Sequence, residues 1–175
     1  IDPQISLLAV HVSSDDDDNI VWMERVLKKK VSSGFKNAED WELYLAGEVN
    51  SFVEEVDDKI RSRDDYRSGL SRIFTGVEQQ RGRVNSIIEA MLVNAGTRLG
   101  WEMCIPHPNT WKKGIGLNCP AGNKNNKLAS QALVGEELKE FYKDQRLTLP
   151  NRIHDLCDAK CISEYVYKIK STTNM

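Results

Sequence analysis

Four cysteines are the residues of this sequence whose type and spacing most readily suggest chemistry. They are Cys104, Cys119, Cys157 and Cys161 in a chain of 175 residues. An even, grouped set of this kind is typical of a disulfide framework in an oxidising compartment. Cys157 and Cys161 are four residues apart, which on a helix separates their Cβ atoms by about 5–6 Å, more than the ~3.8 Å typical of a disulfide. The spacing therefore predicts two crossed disulfides, each joining Cys104 or Cys119 to Cys157 or Cys161, and it does not choose between the two pairings.

Zinc binding is the alternative for the same cysteines. Cys104 and His107 are separated by two residues, and His154, Cys157 and Cys161 form a second cluster of nitrogen and sulfur ligands. Such ligands suit tetrahedral zinc, although the paired CxxC knuckle that makes a zinc assignment specific is missing. Free buried thiols are the third interpretation. We expect the disulfides, and we predict no metal and no cofactor.

The candidate binding surface lies in the segment 100–124, which is rich in glycine, proline and tryptophan. Loops of this length are uncommon unless they are functional or cross-linked, and the predicted disulfides supply the cross-link. Aromatic area beside positive charge on a rigid segment is typical of an interface hot spot. Burial of the tryptophans in a core under the loop is an equally valid reading. The predicted binding residues are Trp101, Ile105, His107, Trp111, Lys112 and Lys113.

No motif indicates catalysis or nucleic-acid binding. The sequence has no GxSxG, HExxH, GxGxxG or Walker motif. The adjacent carboxylates Asp57 and Asp58 lie close to arginines, so solvated ion pairs explain them more simply than acid–base catalysis does. The basic stretch around Arg81 contains acidic residues and lacks stacking aromatics. We therefore predict a protein that is not an enzyme and does not bind nucleic acid.

Helical periodicity dominates the rest of the chain. Apolar residues predict a helix over about 19–31, where the aspartates 15–18 would favour the helix start, and a longer helix ending near residue 61. A second long helix is predicted over about 64–98, followed by shorter helices over about 127–143 and 150–169. No strong strand is evident. The predicted fold is all-α, an elongated helical bundle with two long antiparallel helices, a long disulfide-stapled loop and two shorter C-terminal helices.

Composition indicates a globular protein. The 24 basic and 26 acidic residues nearly balance, and a mean hydropathy of -0.49 without a long apolar run excludes a membrane span. The length fits one domain, so we expect a single helical domain over 1–175 with an N-terminal segment 1–18. Because the chain begins at Ile1, a signal peptide removed from a longer precursor is plausible, although residues 1–3 could also come from a vector.

These observations together predict a secreted, extracellular, non-enzymatic binding or effector protein that recognises a macromolecular partner, most simply a protein. The oligomeric state and the partner stay open. One alternative is a helical carrier whose cavity for a small apolar ligand would be lined by Trp41, Phe52, Phe74 and Phe141. A zinc-stabilised intracellular interaction domain is the other.

Overall fold

The computed structural model describes residues 5–11, 21–27, 35–63, 66, 71–117, 123–144, 146, 148–149 and 153–173. In chain order its elements are β1 (Ile5–His11), β2 (Val21–Leu27), α1 (Ala38–Arg61), β3 (Phe74–Gly76), α2 (Arg83–Arg98), β4 (Glu102–Cys104), α3 (Pro108–Gly114), α4 (Asn123–Asp144) and α5 (Ile153–Thr173). The chain divides into two compact units, with residues 1–9 and 21–105 in unit 1 and residues 10–20 and 106–175 in unit 2.

The described residues of the helix predicted over 19–31 form a strand. Residues Val21–Leu27 form β2, which pairs with β1 in a two-stranded sheet. Over seven residues, a helical and an extended pattern of apolar side chains are hard to distinguish, and Val21 and Val26 favour the strand because they are β-branched. Leu27 at the end of β2 is buried in the core of unit 1. The aspartates 15–18, expected at the start of that helix, lie outside the described residues.

Helix α1 agrees with its predicted end near residue 61. Its N-cap is Asn37, whose side-chain oxygen accepts a hydrogen bond from the Asp40 backbone N–H at 2.8 Å. Lys59 and Arg61 lie in the last turn, where cations favour the negative end of the helix dipole. One face of the helix is buried in unit 1, and its apolar members are Trp41, Leu45, Val49, Phe52, Val53, Val56 and Ile60.

A buried carboxylate ties α1 to the segment before β4. Asp57 is 7% exposed and accepts hydrogen bonds from the Trp101 indole Nε1 and from Arg61 Nε, each at 2.7 Å. Arg61 also donates to the Leu99 carbonyl oxygen at 3.0 Å. Its hydrogen bond to Asp57 raises the pKa of Arg61 above the ordinary value, and the negative charges nearby outweigh desolvation. The solvated ion pair expected for Asp57 is thus a largely buried structural contact.

The long helix predicted over 64–98 is also wrong. Among its described residues, only Arg83–Arg98 are helical, as α2, and β3 precedes them. Gly82, the residue just before α2, has φ +88°, a left-handed conformation that glycine adopts readily and that ends regular helix. Gly100 has φ +81° just after α2. The chain therefore leaves the helical conformation on both sides of α2.

Strands β3 and β4 form a parallel pair, so the all-α prediction is wrong. Phe74 is opposite Glu102, and Gly76 is opposite Cys104. Parallel strands need a crossover connection, here made by α2, which packs against α1. Gly96 permits the close approach of α2 to β4, because a Cβ atom at this position would lie 2.8 Å from Met103 Sδ and 3.0 Å from Trp101 Cε3. The β3–α2–β4 segment makes unit 1 an α/β arrangement.

From Pro106 onward, the regular elements of unit 2 are helices over the described residues. Helix α3 begins after His107, whose Nδ1 accepts a hydrogen bond from the Asn109 backbone N–H, and Pro108 occupies the first turn. The predicted 100–124 loop therefore contains β4, α3 and the start of α4. The buried hydrophobic side chains among the described residues of the unit are Trp111, Val134, Leu138, Tyr142, Leu156, Cys157, Cys161, Ile162 and Val166.

Helix α3 packs closely on α5. A Cβ atom at Gly114 would lie 2.5 Å from the Tyr165 ring, so this position requires glycine for lack of space. Lys168 Nζ on α5 donates to the Gly114 carbonyl oxygen at 2.7 Å, satisfying a backbone acceptor at the end of α3. Within the described ranges, no helix is both long enough and apolar enough to span a membrane.

Candidate functional site

The cysteines do not form the predicted disulfides. Cys104, Cys157 and Cys161 are free thiols. Cys119 lies outside the described residues, but each predicted bridge requires Cys157 or Cys161, and both are free. The helical geometry of α5 does separate these two residues by one turn. Burial raises the pKa of Cys157 to about 11 and that of Cys161 to about 12, so both thiols stay protonated and weakly nucleophilic near neutral pH.

Two of the predicted binding residues belong to unit 1. Trp101 is 8% exposed and lies in the hydrophobic core, where its indole N–H donates a hydrogen bond to Asp57 Oδ1. Ile105, just after β4, is 44% exposed. The indole of Trp101 is therefore a core side chain with a satisfied donor.

The other four predicted binding residues belong to unit 2. Trp111 is fully buried, and Lys112 Nζ lies 5.1 Å from the centre of its ring, within the range of a cation–π contact. His107 caps α3, as described above, and Lys113 is exposed. The structure thus brings Trp111 and Lys112 together but removes the indole from solvent.

Two aspartates near the start of α5 are the strongest chemical feature of unit 2. Asp155 and Asp158 are separated by three residues, so they lie on neighbouring positions of one helix face, with Cβ atoms about 5–6 Å apart. Both are partly exposed, and the side chain of Asp155 is 26% exposed. His154 Nε2 lies 3.1 Å from Asp155 Oδ1. The sequence alone does not single out this pair, because aspartates are mostly exposed and two of them at this spacing are common on solvated helix faces.

The next turns of α5 are anchored to α4 by polar contacts. The buried Ser130 hydroxyl on α4 donates to Asp158 Oδ1 at 2.5 Å. Two residues further along α5, Lys160 is 5% exposed, and its Nζ lies 2.9 Å from Glu164 Oε1 and 3.2 Å from Glu137 Oε1. Desolvation would lower the pKa of Lys160, but the two carboxylates outweigh it and the pKa is raised. These contacts fix the part of α5 that carries the aspartate pair.

A second acidic position lies at the carboxyl end of β3 in unit 1. The Val77 backbone N–H donates to the Cys104 carbonyl oxygen, which extends the parallel pair by one residue, and Glu78 follows directly. Gln80 Nε2 donates to the Glu78 carbonyl oxygen at 3.1 Å, and its backbone N–H donates to Glu89 Oε2 at 2.5 Å. In open α/β sheets, ligands bind outside the carboxyl ends of the strands. Glu78 therefore occupies a position where functional side chains are commonly found.

Metal ligation by the described residues is limited. No group of three or more histidine, cysteine, aspartate or glutamate side chains within the described ranges is placed to hold a metal ion, and this removes the zinc alternative for them. Mg²⁺, however, is usually held by only one or two carboxylates together with water and substrate phosphates. Asp155 and Asp158 provide two carboxylates on α5.

Comparison with known proteins gives one informative likeness. No family model and no curated protein sequence matches the chain. Among solved structures, it is similar to Thermus thermophilus RuvC, with a TM-score of 0.55 and 13% sequence identity, covering 95% of this chain and 90% of RuvC. The likeness shows the fold. Together with the parallel β3–β4 pair, it replaces the predicted all-α bundle by an α/β fold.

The likeness also corrects the functional predictions. RuvC is a nuclease, a class at odds with the predicted secreted, non-enzymatic effector that binds a protein and no nucleic acid. The predictions of disulfide bonds and of an extracellular location lose their basis, because they depended on cysteines that are free. The alternatives of an apolar-ligand carrier and of a zinc-stabilised interaction domain are contradicted with them.

Proposed function

We propose that this protein is an enzyme acting on nucleic acid, a nuclease that hydrolyses phosphodiester bonds with the help of carboxylates and a divalent cation. The observation that carries the proposal is the likeness to RuvC, a Holliday junction resolvase, over 95% of this chain. A fold alone does not define an activity. The acidic side chains described above supply the chemistry that such an activity needs.

Asp155 and Asp158 are the proposed ligands of the cation in unit 2. Their spacing along α5 presents two carboxylates on one face, and the anchoring of α5 to α4 reduces the freedom of that face. A bound Mg²⁺ would stabilise negative charge on the phosphate and promote formation of a hydroxide nucleophile from water.

The experiment is cleavage of a labelled four-way DNA junction and of a linear duplex of the same sequence, with Mg²⁺ or Mn²⁺. We expect the protein to cut the junction. Asp155→Asn and Asp158→Asn should each lower the cleavage rate by about 10²–10³-fold, equivalent to about 2.7–4 kcal/mol of transition-state stabilisation.

Matched controls separate chemistry from a general loss of negative charge. Asp144→Asn and Glu140→Gln change exposed acidic residues of α4 in the same way and should leave the rate within about twofold. Failure of the protein to bind or cut any DNA or RNA substrate with either cation would refute the proposed function. Cleavage that survives both the Asp155→Asn and Asp158→Asn changes would refute the assignment of the pair.

A further inference from the structure

Three lysines of unit 2 meet at the carboxyl end of α3. Lys112 and Lys113 lie in the last turn of that helix, and Lys168 on α5 reaches the same end, where its Nζ donates to the Gly114 carbonyl oxygen at 2.7 Å. Lys113 and Lys168 are exposed, and Lys112 is partly exposed. These three residues are called the lysine cluster below.

The side chains of Lys112 and Lys113 are not needed to satisfy the end of α3. The backbone N–H groups of Ile115, Gly116 and Leu117 donate to the carbonyl oxygens of Trp111, Lys113 and Lys112, at 3.1, 3.1 and 2.8 Å respectively. With Gly116 at φ +81°, this pattern is a Schellman C-cap. Because Lys168 satisfies the Gly114 carbonyl, all four terminal carbonyl groups of the helix have donors. The cap also fixes the backbone that carries the two lysines.

The sequence around the lysine cluster is depleted of carboxylates. Residues 103–135 and 165–175 contain no aspartate or glutamate, although the chain as a whole has a formal net charge of -2. Glu164 lies one turn before Lys168 on α5, and its Oε1 is 2.9 Å from Nζ of the buried Lys160, which balances its charge. The cluster is therefore a local concentration of positive charge on an acidic chain.

We propose that the lysine cluster is a contact surface for the phosphate backbone of nucleic acid. This inference rests on the proposed function, which makes nucleic acid the substrate. A lysine binds phosphate as a point charge, and contacts with phosphates position a protein on nucleic acid without reading its bases. The capped backbone reduces the freedom that the lysines lose on binding. The cluster would therefore hold the substrate without selecting its sequence, and it needs no metal ion to do so.

The test measures binding of a fluorescently labelled DNA duplex by anisotropy, in EDTA and over a series of salt concentrations. For B-DNA, a lysine that neutralises one phosphate contributes about 0.9 to the slope of log K against log salt. The double variant Lys112→Gln/Lys113→Gln should therefore reduce that slope by about 1.8, which is about 60-fold weaker binding at about 0.1 M salt if binding at about 1 M is unchanged. The loss should be equal for duplexes of two unrelated sequences.

Two further double variants separate this contact from net charge and from folding. Lys139→Gln/Lys143→Gln removes the same charge from α4, where Lys139 pairs with Glu136, and should leave the slope unchanged. Lys112→Arg/Lys113→Arg keeps both charges and should bind as the unchanged protein does. Thermal melts followed by circular dichroism check that each variant folds. If Lys112→Gln/Lys113→Gln does not fold, the single change Lys113→Gln at the exposed position should reduce the slope by about 0.9.

The outcomes distinguish the lysine cluster from the proposed function. An unchanged slope in the glutamine variants, or an equal loss in the α4 control, would overturn the contact surface and leave the nuclease proposal standing. Lysine-dependent binding by a protein that cuts no substrate with Mg²⁺ or Mn²⁺ would do the reverse. Failure of the unchanged protein to bind DNA or RNA would overturn both, and lysine-dependent binding to phosphatidylserine vesicles would then assign the cluster to a lipid surface.

Discussion

Replacement of Asp57 offers a sharp test of the packing in unit 1. Asp57 is 7% exposed and accepts hydrogen bonds from the Trp101 indole and from Arg61. Asp57→Ala leaves the buried indole N–H without its acceptor, which costs about 1–3 kcal/mol. Loss of the pair with Arg61, whose side chain is 38% exposed, adds up to about 1 kcal/mol because solvent screens it.

The expected total is a loss of about 1–4 kcal/mol in the free energy of unfolding, measured by urea denaturation with tryptophan fluorescence. In a chain of this length, that corresponds to a fall in Tm of about 2–16 °C. Asp57→Asn keeps an acceptor for the indole and loses only the charge, so it should cost about 1 kcal/mol. Asp58→Ala, at the exposed neighbouring position, should change stability by less than about 0.5 kcal/mol.

A double-mutant cycle isolates the indole contact. Trp101→Phe removes the donor, so in that background Asp57→Ala should cost about 1–3 kcal/mol less than in the unchanged protein. An equal cost in both backgrounds would refute the hydrogen bond as the source of the effect. A cost for Asp57→Ala no greater than that for Asp58→Ala would refute the burial of this carboxylate.

Two further predictions concern unit 2 and the helices. Gly114→Ala should lower Tm, because its Cβ atom would meet the Tyr165 ring at 2.5 Å. Gly47→Ala, with no atom within 4 Å of the added Cβ atom, should raise the free energy of unfolding by about 0.5–1 kcal/mol. Equal effects of the two changes in thermal melts would contradict the close contact between α3 and α5. Cys157 and Cys161 should resist a thiol reagent at pH 8 in the folded protein and react after unfolding. Because the pKa values of both thiols are raised above 9.0 in the folded protein, the unfolded chain loses these protons at lower pH. The free energy of unfolding should therefore fall as pH rises above about 9. Modification of the folded protein at the rate seen after unfolding would contradict the burial of these thiols.

The sequence predicted the elements whose signals are long and local. Helix α1 has a side-chain cap and a buried stripe over its whole length, so its pattern is clear. Strands β3 and β4 have three residues each, too few for a period of two to be recognised, and their pairing depends on residues 28 positions apart. At Gly82 the apolar pattern continued to suggest helix, but the positive φ of this residue ended it. Glycine identity alone does not reveal which conformation the backbone adopts.

The candidate site was harder to predict than the helices. The spacing of Asp155 and Asp158 was visible in the sequence, but such pairs are common on solvated helix faces. What distinguishes Asp158 is the buried hydroxyl of Ser130, and that contact requires the packing of α4 on α5. The cysteines suggested a disulfide framework by their number and grouping, yet Cys157 and Cys161 serve as small apolar side chains in the core.

The parallel pairing of β3 with β4 also has a consequence for the order of folding. Neither strand has enough residues to persist alone, and their hydrogen bonds, such as Glu102 N–H to the Ile73 carbonyl and Val77 N–H to the Cys104 carbonyl, form only after the chain has traversed α2. The strand pair and the crossover helix therefore acquire protection from hydrogen exchange as one cooperative segment. A local opening of α2 would release both strands. We therefore expect the backbone amides of β3 to exchange no more slowly than those of α2.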